Sequence, residues 1–184
     1  FHIVNHLRRE KISFLYESHR SREVIICGVV EKVKNITTRK SGKRMAILRL
    51  EDETASIEVF VFPRLFEETA LYLRPKALLV LQGQIESKDK VPKILASRII
   101  PMEKIMDSVK GASISIANNE LPLDKLKKIF LNNRGNTPVF FSFNDSKLEG
   151  VKVKTGDNFR IDLNDKALKQ LSSLVGEENL VLSL

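Results

Sequence analysis

The sequence is poor in the residue types that most reactive sites require. It has one cysteine, Cys27, three histidines and no tryptophan among 184 residues. A single cysteine excludes an internal disulfide, and its apolar surroundings predict a buried, unreactive thiol. The histidines (His2, His6 and His19) all lie near the N-terminus without a second cysteine. We therefore expect neither a zinc site nor any other cofactor.

Long apolar runs and low-complexity tracts are also missing. The longest apolar run, near residues 77–81, is much too short to cross a bilayer. No signal-peptide pattern begins at Phe1, so we expect a cytoplasmic location and no membrane partner. The missing initiator methionine suggests a piece of a longer protein.

Patterns that support catalysis are absent as well. There is no Gly-rich phosphate loop followed by Lys and Ser or Thr, and no Ser/His/Asp or Cys/His set can be assembled. The acidic run Glu51-Asp52-Glu53 lacks convergent partners, which favours an exposed hairpin turn over a metal site. We expect that this chain alone is not an enzyme.

Positive charge is abundant instead. The formal net charge is +8 and the pI is about 9.6, which is compatible with a polyanionic partner or with an indifferent basic surface. Its distribution favours the first alternative, because seven cations fall in a short stretch. They are Lys32, Lys34, Arg39, Lys40, Lys43, Arg44 and Arg49.

Apolar alternation predicts that this stretch belongs to a β-barrel. Strands are expected at 24–36, 45–50, 57–62, 76–86 and 93–100, with a helix between Pro63 and Pro75. Gly28 marks a bend or a close backbone approach, and Gly83 marks a bulge or bend in the fourth strand. This order predicts an all-β five-stranded OB barrel spanning residues 23–101, a fold that commonly binds single-stranded nucleic acid.

The regions that flank the barrel are less regular. Residues 1–22 are expected to be an approach segment, with one side lined by Leu7, Ile12, Phe14 and Leu15. Residues 102–111 are a candidate linker, and 112–184 predict a small α+β domain in the order β-α-β-β-β-α-β. Strands are expected there at 137–143, 148–153 and 158–161.

One short motif in the second domain resembles a docking peptide. Residues 170–174, Gln-Leu-Ser-Ser-Leu, are similar to the glutamine-led peptides that bind sliding clamps. Their position in a helix begun by Asn164 or Asp165, with Leu171 and Leu174 on its inner face, favours core packing.

The barrel predicts a nucleic-acid site. In OB folds the loop between strands one and two, with the face of strands two and three, lines the binding groove. The seven cations would meet phosphates there, or they would only solvate a loop. Phe60 is the candidate for base stacking, although a place in the barrel core fits it equally well. Since aromatics are scarce, we expect modest affinity that falls steeply with salt.

The barrel sequence also resembles a known family. Residues 28–34, the run Thr37 to Ala46, Leu50-Glu51-Asp52 and residues 57–63 look like the OB domain of the bacterial DNA polymerase III alpha subunit. That family carries a G-x-(V/I)-x-x-x-K strand, a T-K-K-G-x-x-M-A turn, L-E-D and an I-E-V-x-V-F-P strand.

The resemblance continues on both sides of the barrel. Residues 4–7, Val-Asn-His-Leu, are similar to the family's S-G-H-P-L segment but lack its Gly and Pro. Pro138-Val139, residues 151–160 and the helix at 164–176 are similar to the family's C-terminal domain, whose sequence is looser.

The resemblance implies a role in DNA replication. It implies that the chain is a non-catalytic C-terminal region of the polymerase subunit, whose catalytic carboxylates lie outside this chain. The OB domain would contact single-stranded template DNA, and the C-terminal domain would dock the tau-type clamp-loader subunit and other replisome proteins. Two alternatives remain. One is an RNA-binding OB domain of a tRNA synthetase, which would need stacking aromatics, and the other is a pure protein-docking module.

Overall fold

The computed structural model describes residues 2–7, 9–17, 21–39, 41–86, 91–116, 122–143 and 151–184. The α-helices there are α1 (Ile12–Tyr16), α2 (Pro63–Thr69), α3 (Ile105–Ser108), α4 (Leu123–Asn132) and α5 (Asp165–Val175). The strands of the first half are β1 (Glu23–Thr37), β2 (Arg44–Glu51), β3 (Ser56–Val61), β4 (Leu78–Glu86) and β5 (Lys93–Pro101). Those of the second half are β6 (Gly111–Ile116), β7 (Arg134–Thr137), β8 (Val139–Phe143), β9 (Lys152–Lys154) and β10 (Leu180–Ser183). No helix in these ranges is both long and apolar enough to cross a membrane.

The chain divides into two compact units. One is Arg9–Ile105, and the other combines Phe1–Arg8 with Met106–Leu184. We call the first the barrel unit and the second the split unit, because it is assembled from two separate parts of the chain.

The barrel unit is a closed sheet in the order β1-β2-β3-β5-β4. The long strand β1 pairs antiparallel with β2 through its second half and with β4 through its first half. Strand β3 pairs with β5 in parallel, and β5 pairs antiparallel with β4. The predicted five-stranded OB barrel is therefore confirmed, and each predicted strand lies within two residues of its observed bounds.

The barrel core is built from alternate residues of each strand. Leu48, Val59 and Ile94 are fully buried, as the period of two requires for one face of a strand. Helix α1 adds Ile12 and Leu15 to the same core. The predicted apolar side of the approach segment is only partly correct, because Phe14 is 57% exposed and Leu7 belongs to the split unit.

Two glycines allow the strands to close. A Cβ atom on Gly28 would lie 2.5 Å from the carbonyl oxygen of Glu51, and one on Gly83 would lie 2.4 Å from that of Leu95. The β4–β5 register also shifts between Gln82 and Gly83. The close approach predicted at Gly28 and the bulge predicted at Gly83 are confirmed, and neither position has room for a side chain.

The predicted helix after the third strand is also present. Pro63 occupies the first turn of α2, where its missing N–H costs no hydrogen bond. Phe66 and Thr69 are buried, and α2 packs against β2 and β5. A 3-10 turn, Ala70–Tyr72, completes the predicted helical segment.

The split unit contains a sheet in the order β10-β6-β8-β9. Strands β6 and β8 are parallel, whereas β10 and β9 pair antiparallel with their neighbours. Helices α4 and α5 pack against each other. Its core contains Leu126 and Phe130 of α4, Leu168 and Leu171 of α5, and the sheet residues Ala112, Ile114 and Val139.

The first residues of the chain complete this unit. Residues His2–His6 form a 3-10 turn that packs against α5 and β10, and Leu7 forms a parallel bridge with Leu182. His6 is buried, with Nδ1 3.2 Å from the carbonyl oxygen of Leu180 and Nε2 3.1 Å from Ser172 Oγ. Because the Leu180 carbonyl oxygen only accepts, the first contact is a hydrogen bond in the tautomer that carries its proton on Nδ1.

Several sequence predictions for the second half need correction. Residues 158–161 were expected to be a strand, but Asp157–Phe159 form a 3-10 turn, and the Phe159 ring lies 6.2 Å from that of Phe130. The predicted strand 137–143 is divided into β7 and β8 by Pro138, which has no N–H for the ladder. Of the predicted strand 148–153, residues 148–150 lie outside the described residues.

The stretch 102–111 is more structured than a simple connection. Residues Met102–Lys104 form a 3-10 turn that leads directly into α3. Met102 and Ile105 are buried, and Gly111 already begins β6.

Candidate nucleic-acid interface

Strand pairing aligns an apolar row on the outside of the barrel. Ile47 of β2 pairs with Phe60 of β3, and Phe60 pairs with Leu95 of β5. All three are half-buried, whereas their chain neighbours Leu48 and Val59 point into the core. Directly paired residues project to the same face of a sheet, so Ile47, Phe60 and Leu95 form one continuous outer row. Phe60 therefore lies on the outer face and not in the core.

Cations border this apolar row on two sides. Lys34 pairs with Ile47 and continues the row onto β1. Lys93 of β5 holds its Nζ 5.7 Å from the centre of the Phe60 ring, within the range of a cation–π contact. The apolar row thus begins and ends near positive charge.

A second outer row, one pleat away, mixes both signs of charge. Lys32 pairs with Arg49, Arg49 with Glu58, and Glu58 with Lys93. The Nε of Arg49 lies 2.7 Å from Oε2 of Glu31, and its Nη2 donates to Ser56 Oγ at 3.0 Å. This exposed ion pair fixes the direction of the guanidinium but adds little stability.

The loop between β1 and β2 carries further exposed cations. The Thr38 N–H donates to the Lys43 carbonyl at 2.9 Å, and the Gly42 N–H donates to the Thr38 carbonyl at 3.0 Å. These bonds form the turn that the sequence predicts at Ser41-Gly42. Arg39 and Lys43 are exposed, and within the described ranges neither forms an ion pair. Lys40 lies outside the described residues.

Arg44 occupies a different place from the other predicted cations. It pairs with Thr37 and has the same parity as the core residues Ala46 and Leu48. Its guanidinium carbon lies 5.8 Å from the centre of the Phe66 ring on α2. Of the predicted site, the structure thus brings Lys32, Lys34, Arg49 and Phe60 to the outer face and directs Arg44 toward α2.

Several residues of this face were not predicted from the sequence. Ile47, Leu95 and Lys93 lie beside Phe60, and Glu58 places a negative charge between Arg49 and Lys93. Side chains alternate along a strand, so a buried Val59 would have predicted that Glu58 and Phe60 face outward. Their neighbours Lys93 and Leu95 on β5 could not be predicted in this way, because they depend on the parallel pairing of β3 with β5.

In the acidic turn between β2 and β3, the Asp52 carboxylate accepts four hydrogen bonds. Asp52 accepts from the N–H of Ile12 at 2.8 Å, of Thr54 at 2.7 Å and of Ala55 at 3.0 Å, and from the Thr54 hydroxyl at 2.6 Å. Partial burial would raise the pKa of the Asp52 carboxyl, but these donors hold it below its ordinary value. In the part of the chain that the structure describes, no cluster of potential metal ligands is found.

Cys27 and Leu171 of the clamp-peptide motif both lie in hydrophobic cores. Cys27 is buried, as predicted, and burial raises the pKa of its thiol to about 11, so it stays protonated at neutral pH. In the motif, Leu171 is fully buried and Gln170 accepts from the Asn133 amide at 3.2 Å. Leu174, expected on the inner face, is half-buried.

Comparison with known proteins agrees with this geometry. A family model described as an OB-fold nucleic acid binding domain, of the tRNA anticodon-binding type, matches residues 24–102. The DNA polymerase III subunit alpha of Bacillus subtilis (strain 168) is 32% identical over 177 residues, or 93% of this chain. That of Buchnera aphidicola is 28% identical over 98% of this chain. The chain is homologous to part of the DNA polymerase III alpha subunit.

The match covers nearly all of this chain but only a small part of each alpha subunit. The chain spans only 15% and 17% of the length of these two alpha subunits. Among solved structures, asparaginyl-tRNA synthetase from Pyrococcus horikoshii matches 51% of this chain at 14% identity, with a TM-score of 0.40.

Proposed function

We propose that this chain is a non-catalytic C-terminal region of a replicative DNA polymerase alpha subunit. In this role the barrel unit contacts single-stranded template DNA, and the split unit docks a tau-type clamp-loader subunit. The homology with alpha subunits supports the assignment to replication, and a replication role agrees with the predicted cytoplasmic location. The parent subunit would carry the polymerase activity elsewhere in its length.

The observation that carries the DNA proposal is the outer apolar row with cations at its borders. A flat surface of Ile47, Phe60 and Leu95 suits unstacked bases, which every sequence presents. Lys34 on one side and the exposed Arg39 and Lys43 of the adjacent loop suit the phosphates. With a single aromatic ring in the row and Glu58 close by, the affinity should be modest.

Fluorescence anisotropy of a labelled single-stranded oligonucleotide, at low and at moderate salt, tests this proposal. We expect Phe60→Ala to weaken binding by about 1–3 kcal/mol, the value of one base stacked on an aromatic ring. Lys34→Ala should weaken binding and lower the salt slope by about one, because one phosphate contact is lost.

A matched control uses Arg74→Ala, which removes one charge from an exposed residue in the turn before β4. This variant should bind like the wild type. Absence of binding by the wild type at low salt would exclude the DNA role for this chain, as would an equal loss in all three variants.

The test also separates the RNA alternative. The matching OB family model concerns nucleic acid in general, so single-stranded RNA and duplex DNA of the same length are compared with single-stranded DNA. Tighter binding of RNA would favour the tRNA-synthetase type of OB domain.

The docking role is tested separately by size-exclusion chromatography with the tau-type clamp-loader subunit. Co-elution at equal concentrations is expected, since the family resemblance implies this partner. Separate elution would exclude that partner for this chain without affecting the DNA proposal.

A further inference from the structure

An open groove of about 450 Å³ runs between α4 and α5 of the split unit. It is lined by Lys125, Lys128 and Ile129 from α4 and by Lys169, Gln170, Ser173 and Leu174 from α5. Ile129 and Leu174 are half-buried and supply the apolar part of the lining. The groove is large enough for several side chains of a partner.

Every charged side chain that the structure describes in this lining is a lysine. Lys125 and Lys128 are three positions apart, so they share one face of α4, and Lys169 faces them from α5. All three are exposed, and among the described residues none of them forms an ion pair. Among the described residues, no acidic side chain lines the groove. A partner that occupies the groove would therefore need negative charge at its edges.

The combination of apolar and cationic lining selects the class of partner. A nucleic-acid backbone would satisfy the lysines but leave Ile129 and Leu174 uncovered. An amphipathic helix with carboxylates beside its apolar stripe would satisfy both, as in other helix-in-groove complexes. The Asn133 amide donates to Gln170, a lining residue, at 3.2 Å, and this hydrogen bond ties α5 to the C-terminal end of α4.

We propose that the groove between α4 and α5 binds an acidic, amphipathic helix of a partner protein. This inference rests on the proposed docking role of the split unit and names the chemistry of its partner. It also gives residues 170–174 a second role, because Gln170, Ser173 and Leu174 contribute to the groove while Leu171 stays in the core.

The test uses a synthetic peptide of about 18 residues, or roughly five helical turns. It carries leucines at helical spacing on one face, glutamates beside them and alanines elsewhere. Binding to the whole 184-residue chain is followed by NMR chemical shifts. Addition of the peptide should change the chemical shifts of residues 125–129 and 169–174 and leave those of the barrel unit unchanged. A scrambled peptide of the same composition, which lacks the apolar stripe, should bind at least about tenfold more weakly.

Variants assign the binding to the lysines. The triple variant Lys125→Glu, Lys128→Glu and Lys169→Glu should lose at least about tenfold in peptide affinity. The milder triple Lys→Gln variant should lose less and guards against a folding defect. The matched control changes Lys110, Lys127 and Lys152 to Glu, which alters the charge of the same unit outside the groove. It should lose clearly less than the groove variant.

Several outcomes would overturn the inference. These are equal binding of the scrambled peptide, shifts outside the groove, equal losses in groove and control variants, or groove shifts caused by single-stranded DNA in place of the peptide. The DNA proposal is judged independently, since the groove variant should bind single-stranded DNA through an unaltered barrel. If the clamp-loader subunit binds the groove variant as tightly as the wild type, the groove inference fails while the docking role stands.

Discussion

The two units use their strands in opposite ways. In the barrel unit each strand pairs on both sides, because β1 is long enough to pair with both β2 and β4. In the split unit the sheet is an open series of four short strands that begins at β10 and ends at β9. The barrel unit is formed by one continuous stretch of the chain, whereas the split unit combines two separate stretches.

The lengths of the strands explain why the strands of the barrel unit are easier to predict from the sequence than those of the split unit. The barrel strands have six to fifteen residues, so apolar alternation repeats often enough to be recognised. Strands β7, β9 and β10 have only three or four residues, so period-two alternation is barely visible. Their positions depend on packing with distant segments.

The largest expected effect tests the dependence of the barrel on close backbone approach. Gly83→Ala should destabilise the barrel unit by about 3 kcal/mol, because its Cβ atom would clash with the carbonyl oxygen of Leu95. Chemical denaturation, with hydrogen exchange to locate the effect, measures this loss.

The matched control for this prediction is Gly156→Ala in the split unit. A Cβ atom on Gly156 would have no described neighbour within 4 Å, so the stability should change little. Equal stability losses at the two glycines would contradict the importance of close approach in the barrel.

A smaller effect tests the discontinuous assembly of the split unit. His6→Ala should destabilise that unit by about 2 kcal/mol, because the Leu180 carbonyl and Ser172 lose a buried hydrogen-bonding partner. Faster hydrogen exchange is expected in α5 and β10, with no change in the barrel strands.

Asn5→Ala is the control, since Asn5 is exposed in the same 3-10 turn. It should leave exchange in both units unchanged. Unaltered exchange in His6→Ala would show that the His6 side chain contributes nothing to the stability of the split unit.

The smallest effect concerns a local contact within the barrel unit. Asp52→Ala should cost about 1 kcal/mol at neutral pH, because the N–H groups of Ile12, Thr54 and Ala55 lose their acceptor. Since the folded-state pKa of Asp52 is lowered, its stabilisation is present above the ordinary carboxyl pKa and is lost as pH falls through the folded value.

The difference in stability between wild type and Asp52→Ala should therefore be constant above about pH 5 and shrink below about pH 4. Equilibrium unfolding over this range measures it, with the exposed Glu67→Ala on α2 as control. A difference that persists unchanged at low pH would contradict the role of the Asp52 carboxylate.

Residues of the candidate interface could be predicted only where alternation along a single strand determines which side chains face outward. Lys32, Lys34 and Arg49 fall on the outer face as local alternation suggests, whereas Arg44 has core parity and lies over Phe66. Phe60 was ambiguous because a five-stranded barrel offers apolar surroundings on both faces. Its partners Ile47 and Leu95 become evident only from the pairing of β3 with β2 and β5.

The sequence by itself determined the five barrel strands, the helix at Pro63, the buried cysteine and the concentration of cations near β1 and β2. These features follow from local periodicity and from residues whose effect on the backbone is local. Only the tertiary structure decided that residues 2–7 belong with the split unit, that Phe60 faces outward beside Lys93, and that three lysines meet across α4 and α5. Each of these depends on contacts between residues far apart in the chain, which no local pattern records.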